Sequence, residues 1–252
     1  MTLFLTSSPT LGWAGDLNPA NGLLASLRRA LPHPIHCLMI TSAPDDREMT
    51  DRMAWEMREI FERADLAFDH YEVLDRRTQR YVARMLREAN FIILCGGHVP
   101  TQNRFFQELD LARRLQKFQG TMLTISAGSM NCADVVYSSP ELDGESLDPQ
   151  YLRYLPGLGL TSINIMPHLQ VSRDAMLDGK RLIDDIIAHD SYGRPVYLLP
   201  DGSYFVITTN GGNTRAELRG EAYLMRYGET TQICHDDERR LLLKGGKFRT
   251  LK

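Results

Sequence analysis

The stretches FIILCGG, residues 91–97, and TMLTISAGSMNC, residues 121–132, decide the fold of this chain. The first begins with a continuous apolar run typical of a strand that is buried on both faces, the second with residues typical of a strand, and an amphipathic helix is predicted between them. Such a strand–helix–strand unit predicts two parallel strands of one sheet. The second strand ends at Ser126, on a tight turn into a following helix. This arrangement predicts a nucleophile elbow at Ser126.

The residues around Ser126 are small, as an elbow requires. Its nucleophile has a strained backbone and a helix begins directly behind it, so bulky neighbours are excluded. Ala127, Gly128 and Ser129 satisfy this requirement, although Thr124 stands where the usual pattern has glycine. An ordinary strand-to-helix turn with a capping serine is the alternative interpretation of the same residues.

The ends of the two strands predict a place for negative charge. Ligands of parallel α/β sheets bind beyond the carboxyl ends of the strands, where both Gly97 and Ser126 fall. The N–H of Ala127 and an N–H of Gly96-Gly97 are therefore expected to face a common point, as the donors of an oxyanion hole do.

The rest of the chain alternates strands and helices. Its 252 residues, 43% of them hydrophobic, are enough for one large α/β domain, and no linker divides residues 1–252. The prediction is an α/β fold: a mostly parallel, doubly wound sheet with helices on both faces and a C-terminal antiparallel edge after residue 202. Strands are expected at 3–6, 35–41, 68–74, 91–95, 122–125, 160–166 and 195–199, helices at 18–31, 49–64, 78–89 and 173–188, and a terminal strand within 239–252.

Composition excludes several classes of partner. A net charge of -3 argues against nucleic acid or an anionic membrane, because both require a basic face. No apolar run has the roughly 18 residues of a membrane helix, and the N-terminus lacks the pattern of a signal peptide. Four scattered cysteines without C-x-x-C spacing predict neither a zinc site nor disulfides, so a reducing, cytoplasmic location and no metal or other cofactor are expected.

Four segments in order carry a family resemblance: ILCGG at 93–97, ISAGS at 125–129, INIMPH at 163–168 and LLPDGSYFVI at 198–207. With them the chain resembles the peptidase E and cyanophycinase family of serine peptidases, whose fold is similar to that of class I glutamine amidotransferases. A glutaminase itself is disfavoured, because its nucleophile is a cysteine and Ser126 holds that place.

The resemblance implies a catalytic triad. His168 matches the family's catalytic histidine; at the end of a strand in the same sheet as the elbow, it would reach Ser126 as its base. The third member matches Asp201, where the family usually has glutamate. Glu141 is the rival acid, less favoured because a turn at a strand end holds a carboxylate more rigidly than a proline-rich loop. The N–H groups of Gly97 and Ala127 would form the oxyanion hole.

The surrounding segments are expected to contact the substrate. Residues 98–103 are predicted as a loop bordering the site, with His98 as a substrate contact rather than the base. Residues 135–156 are either a lid or a solvated surface excursion. Arg173 and Arg181 are candidates to bind an acidic side chain, with solvated helix residues as the alternative.

The sequence thus predicts a serine hydrolase of small peptides. The resemblance implies a dipeptidase or exopeptidase, with a preference for an N-terminal aspartyl residue in one branch of the family. The alternative function is that of a catalytically altered relative that binds a metabolite or serves a regulatory role. The sequence makes no prediction of the oligomeric state.

Overall fold

The structure, a computed structural model, describes residues 1–12 and 15–244. Its strands are β1 (Thr2–Thr6), β2 (His36–Ile40), β3 (His70–Leu74), β4 (Phe91–Leu94), β5 (Thr121–Ile125), β6 (Val135–Tyr137), β7 (Tyr154–Pro156), β8 (Ile165–Met166), β9 (Met176–Leu177), β10 (Lys180–Arg181), β11 (Val196–Leu198), β12 (Tyr204–Asn210), β13 (Asn213–Arg219), β14 (Ala222–Arg226), β15 (Glu229–Cys234) and β16 (Arg239–Lys244). Its α-helices are α1 (Leu23–Ala30), α2 (Arg47–Arg63), α3 (Val82–Glu88), α4 (Val99–Glu108), α5 (Leu111–Leu115), α6 (Ala127–Met130), α7 (Leu169–Ser172) and α8 (Ala188–Asp190). Short 3-10 turns at Ala20–Gly22 and Gln79–Tyr81 precede α1 and α3, and a π-helical segment at Leu182–Ile187 precedes α8.

The large sheet has eight strands in the order β16-β13-β12-β1-β5-β4-β2-β3. Strands β1, β5, β4, β2 and β3 are parallel, and β12, β13 and β16 extend the β1 side in antiparallel fashion. The mostly parallel α/β fold with a C-terminal antiparallel edge is therefore confirmed. Gly211 and Gly212, both with positive φ, make the turn between β12 and β13.

Alternating residues of the central strands enter two separate cores. Ile92 and Leu94 of β4 pack with α3 to α6, whereas Phe91 and Ile93 pack with α1 and α2 on the opposite face. All four side chains are fully buried. Because successive side chains of a strand point to opposite faces, this packing places helices on both faces of the sheet, as predicted.

A second sheet of four strands, in the order β15-β14-β11-β8, was not predicted. The chain passes from the large sheet to β14 of this sheet at Gly220, whose φ of +84° lets β14 turn away from the end of β13. Ile165 from this sheet is buried in the same core as Leu5 of the large sheet, so the two sheets share apolar contacts.

The predicted position of His168 in the large sheet is wrong. β8, the strand before His168, pairs with β11 in the small sheet, and β11 leads to Asp201. The apolar pattern of 160–166 and 195–199 indicates buried strands but carries no signal for which sheet they join, and β8 is only two residues long.

The helix predicted over 173–188 is also wrong at its start. Residues 176–181 form the hairpin β9-β10 around Asp178 and Gly179, which both have positive φ. Asp-Gly is a strong hairpin signal, and here it outweighs the apolar spacing of the flanking residues. Helical structure begins only at Leu182.

Two further predictions differ from the structure in detail. The predicted loop at 98–103 is mostly helical, because α4 starts at Val99 with Pro100 in its first turn, where proline is favoured. Within 135–156, β6 and β7 pair as a hairpin that frames the irregular residues 138–153. The predicted terminal strand is β16, and residues 245–252 lie outside the described residues.

Residues 1–12 and 15–244, which the structure describes, contain no helix that is long and apolar enough to cross a membrane. The four cysteines, Cys37, Cys95, Cys132 and Cys234, are buried and free.

Candidate active site

Ser126 lies between β5 and α6 in a strained conformation. Its φ of +49° and ψ of -113° are rare for a non-glycine residue, and such strain is typical of a nucleophile elbow. The N–H of Ser126 donates to the carbonyl oxygens of Thr6 and Ser7, each at 3.1 Å. These bonds hold the elbow against the end of β1.

Gly128 lets α6 begin directly beneath the elbow. A Cβ atom on Gly128 would lie 2.5 Å from the carbonyl oxygen of Leu94, which is closer than such atoms approach. Glycine is therefore required at this position for the helix to pack on the end of β4.

The glycine pair after β4 lies beside Ser126. A Cβ atom on Gly96 would lie 3.2 Å from the Cβ of Ser126, and a Cβ on Gly97 would lie 2.7 Å from the Cβ of Ser42. The Ser42 hydroxyl donates a short hydrogen bond to the Gly96 carbonyl oxygen, which fixes the peptide between the two glycines. Among the described residues, no acceptor is bonded to the N–H of Gly97 or of Ala127, the first residue of α6. Both predicted oxyanion donors thus retain an unused N–H.

His168 follows β8 and faces Ser126. Its Nε2 lies 3.0 Å from the Ser126 Oγ. The backbone of His168 is left-handed, with φ +56° and ψ +40°, and its N–H donates to the Ser7 Oγ at 2.8 Å. The small sheet thus delivers the predicted base to the nucleophile of the large sheet.

Asp201 follows β11 and accepts three side-chain hydrogen bonds. Its Oδ1 lies 2.8 Å from the His168 Nδ1 and 2.6 Å from the Ser7 Oγ, and its Oδ2 accepts from the Gln170 Nε2 at 2.6 Å. Burial acts to raise the pKa of Asp201, but these bonds outweigh it and hold the pKa below its usual value. An ionised carboxylate only accepts, so Nδ1 carries the imidazole proton and Nε2 of the neutral ring accepts from the Ser126 hydroxyl.

Glu141 lies apart from this chain of hydrogen bonds. Among the described residues, its carboxyl makes no hydrogen bond to His168 and lies instead near the backbone N–H of Val99. Glu141 is exposed as a residue, but the protein atoms around its carboxyl restrict the hydration of that group, and together with the charge of Glu145 they raise its pKa to about 7.

His98 contacts the irregular residues 138–153, called here the excursion, rather than the nucleophile. It is the cap residue of α4, and its Nδ1 and Nε2 lie 2.8 Å from the Thr101 Oγ1 and 2.9 Å from the Glu145 Oε1. Glu145 also accepts from the N–H groups of Glu141 and Leu142, and these bonds lower its pKa against the opposing effect of burial.

The same excursion is anchored at a second point. Asp178 in the β9-β10 turn accepts hydrogen bonds from the N–H groups of Gly144 and Ser146, at 2.7 and 3.0 Å. Residues 138–153 thus join the glycine side of the site, through His98, to the hairpin that follows His168 and α7.

The two candidate arginines have other partners. The Arg181 guanidinium pairs with Asp184 at 3.0 Å and with Asp185 at 3.4 Å, and it is exposed. Arg173 lies 6.0 Å above the ring of Tyr223. In the described structure, neither makes a hydrogen bond to the residues around Ser126.

Ser7 and Gln170 are site residues that the sequence prediction missed. Ser7 follows the first strand and Gln170 lies two residues after His168, but neither belongs to the four segments that carry the resemblance. A polar TSS at the end of a parallel strand was the available signal, because such ends line ligand sites. Among the described residues, no group of three or more His, Cys, Asp and Glu side chains is arranged to hold a metal ion.

Fold and geometry together define a class of protein. It is an α/β protein with a serine on a strained strand-to-helix elbow, a histidine hydrogen-bonded to that serine, and a carboxylate hydrogen-bonded to the histidine. The profile of Peptidase family S51 matches residues 3–216. The chain therefore belongs to peptidase family S51, and the predicted peptidase E-like resemblance is confirmed.

Solved structures share this fold at low sequence identity. A peptidase from an acI-B1 Actinobacterium is similar with a TM-score of 0.62 and 15% identity, over 96% of each chain. A putative peptidase E protein from Listeria monocytogenes EGD-e has a TM-score of 0.53 and 16% identity, over 92% of this chain and 97% of that one. No curated protein matches the chain.

Proposed function

We propose that this protein is a serine peptidase that cleaves small peptides, as a dipeptidase or exopeptidase. The observation that carries the proposal is a continuous chain of hydrogen bonds. The Ser126 Oγ lies 3.0 Å from the His168 Nε2, and the His168 Nδ1 lies 2.8 Å from the Asp201 Oδ1. A nucleophile within hydrogen-bond reach of a base, which a third group orients, is the arrangement of acyl-transfer hydrolases.

In the first half of the reaction, the Ser126 Oγ attacks the carbonyl carbon of the scissile amide while its proton passes to the His168 Nε2. Asp201 stabilises the imidazolium that forms. The N–H groups of Gly97 and Ala127 bind the oxyanion of the tetrahedral intermediate. The C–N bond then breaks, the imidazolium gives its proton to the leaving amine, and Ser126 is left acylated.

In the second half, water replaces the amine. His168 takes a proton from the water as it attacks the acyl carbon, and the second oxyanion occupies the same pair of N–H groups. Collapse of this intermediate breaks the ester bond and returns the proton to the Ser126 Oγ. The product leaves as a carboxylic acid, and the neutral imidazole is restored.

The excursion at 138–153 supports a small substrate. It is tied to His98 on one side of the site and to Asp178 on the other, and a segment held in this way would limit the length of chain that reaches Ser126. We propose that it acts as a lid, the first of its two predicted roles. An acidic preference through Arg173 or Arg181 would require either side chain to leave its present contacts.

Hydrolysis of a peptide panel tests the proposal. We expect wild type to cleave dipeptides such as Asp-Leu, Asn-Leu or Ala-Leu, and to cleave N-acetylated or longer peptides more slowly. Cleavage of none of these peptides would favour the alternative of a metabolite-binding protein. Cleavage of internal bonds in long peptides at the same rate as dipeptides would contradict the proposed lid. Asp-Leu cleaved no faster than Asn-Leu would exclude the aspartyl preference while leaving the peptidase intact.

A further inference from the structure

The proposed triad is assembled from two different sheets. Ser126 follows β5 of the large sheet, whereas His168 and Asp201 follow β8 and β11 of the small one. Catalytic groups need to be held within about 0.5 Å of their working positions. Some contact must therefore fix the end of one sheet to the end of the other.

Ser7 is the residue that contacts all three members. It directly follows β1, the strand paired with β5. Its carbonyl oxygen accepts from the Ser126 N–H at 3.1 Å, and its hydroxyl donates to the Asp201 Oδ1 at 2.6 Å and accepts from the His168 N–H at 2.8 Å. Ser7 itself has no exposed surface, so its hydroxyl is shielded from water, whereas His168 and Asp201 are each partly exposed.

The hydrogen bond to the His168 backbone fixes an unfavourable conformation. A left-handed residue other than glycine is strained and persists only when its surroundings hold it. The His168 N–H points at the Ser7 hydroxyl in this conformation, so the same hydroxyl fixes both the backbone and the carboxylate partner of the imidazole.

Gln170 holds the other carboxylate oxygen. Its Nε2 donates to the Asp201 Oδ2, and its Oε1 accepts from the Asp201 N–H at 3.1 Å. With Ser7 on Oδ1 and Gln170 on Oδ2, rotation of the carboxylate would break a bond on either side.

We propose that Ser7 is the positioning residue that aligns His168 and Asp201 with Ser126 across the two sheets, and that Gln170 completes this hold. The inference rests on the proposed peptidase function. Ser7 is assigned a role in turnover rather than in substrate binding, because loss of its hydroxyl would leave the substrate pocket unchanged. Its removal is therefore expected to lower kcat and to leave KM unchanged.

The test compares Ser7→Ala with Ser8→Ala. Ser8 is the adjacent buried serine, and among the described residues its hydroxyl forms hydrogen bonds with Thr10 alone. For each protein, kcat is expressed per active site titrated with a fluorophosphonate, so that misfolded molecules are not counted. We expect Ser7→Ala to lower kcat by about 10–100-fold, the effect of one hydrogen bond to a charged group, with KM within about twofold of wild type. Ser8→Ala should keep the wild-type kcat.

Gln170→Ala provides the second variant, because Gln170 is exposed and its loss leaves the core intact. We expect a fall in kcat of about 3–10-fold, again with KM unchanged. If Ser7→Ala fails to fold, this variant decides alone. A wild-type kcat per titrated site in Ser7→Ala, or in Gln170→Ala where that variant decides, would overturn the inference and leave the peptidase standing. Absence of wild-type turnover would overturn the proposed function and this inference with it.

Discussion

Replacing Asp201 by asparagine keeps the size of the side chain and removes its charge. In the wild type, three donors converge on the carboxylate: the His168 Nδ1–H and the Ser7 hydroxyl on Oδ1, and the Gln170 Nε2–H on Oδ2. An amide has only one oxygen, so it satisfies these donors on one side at most.

Both orientations of the amide impair the site. With its oxygen towards His168, the amide presents its NH2 group to the Gln170 donor, and a neutral oxygen no longer stabilises the imidazolium. With its NH2 group towards His168, it favours the tautomer that carries the proton on Nε2, which then no longer accepts from Ser126. We expect kcat to fall on the order of 10³–10⁴, as for the corresponding change in a comparable triad.

The assay is hydrolysis of the best dipeptide from the panel, with Glu141→Gln as the matched carboxyl-to-amide control. Because Glu141 makes no hydrogen bond to His168 among the described residues, its kcat should stay within about threefold of wild type. A larger loss in Glu141→Gln than in Asp201→Asn would refute the reasoning and move the third role to Glu141.

Three other changes test separate parts of the site. Gly97→Ala should lower kcat by about 10²–10³ through loss of an oxyanion donor, since its Cβ would lie 2.7 Å from the Cβ of Ser42; wild-type kcat would contradict this placement. The raised pKa of Glu141 stabilises the folded state fully below about pH 4.5, and this contribution is lost as the pH rises through about 7. The melting temperature of wild type relative to that of Glu141→Gln should therefore fall between these two pH values. A difference in melting temperature that stays constant would contradict this prediction. Glu145→Gln weakens the 2.9 Å contact to His98, so limited proteolysis within 138–153 should become faster, and an unchanged cleavage rate would show that these residues are held elsewhere.

The large sheet was predictable because its signals are local. Phe91–Leu94 is a continuous apolar run and Thr121–Ile125 combines apolar residues with threonine. Small residues follow both segments, and the strand–helix–strand rule fixes their parallel pairing. The elbow at Ser126 was predictable for the same reason, since the small neighbours and the following helix lie within five residues of it.

The small sheet and the hydrogen bonds that position Asp201 were not predictable from such patterns. Ile165–Met166 is too short to show a period, and its partner Val196–Leu198 is 30 residues away. Ser7 and Asp201 are 194 residues apart in sequence, and their contact depends on how the two sheets pack. The resemblance supplied His168 and Asp201 residue by residue, but it carried no information on the groups that position them.

Labelling with a fluorophosphonate probe tests the central claim, that Ser126 is a nucleophile activated by His168. Peptide mass spectrometry of the labelled wild type should find one adduct, on Ser126. His168→Ala should slow its formation by several orders of magnitude, on the scale of the roughly 10⁴–10⁶ lost when a triad member is removed. The claim would be contradicted if Ser126 stayed unlabelled, or if Ser126→Ala acquired the adduct as fast as the wild type.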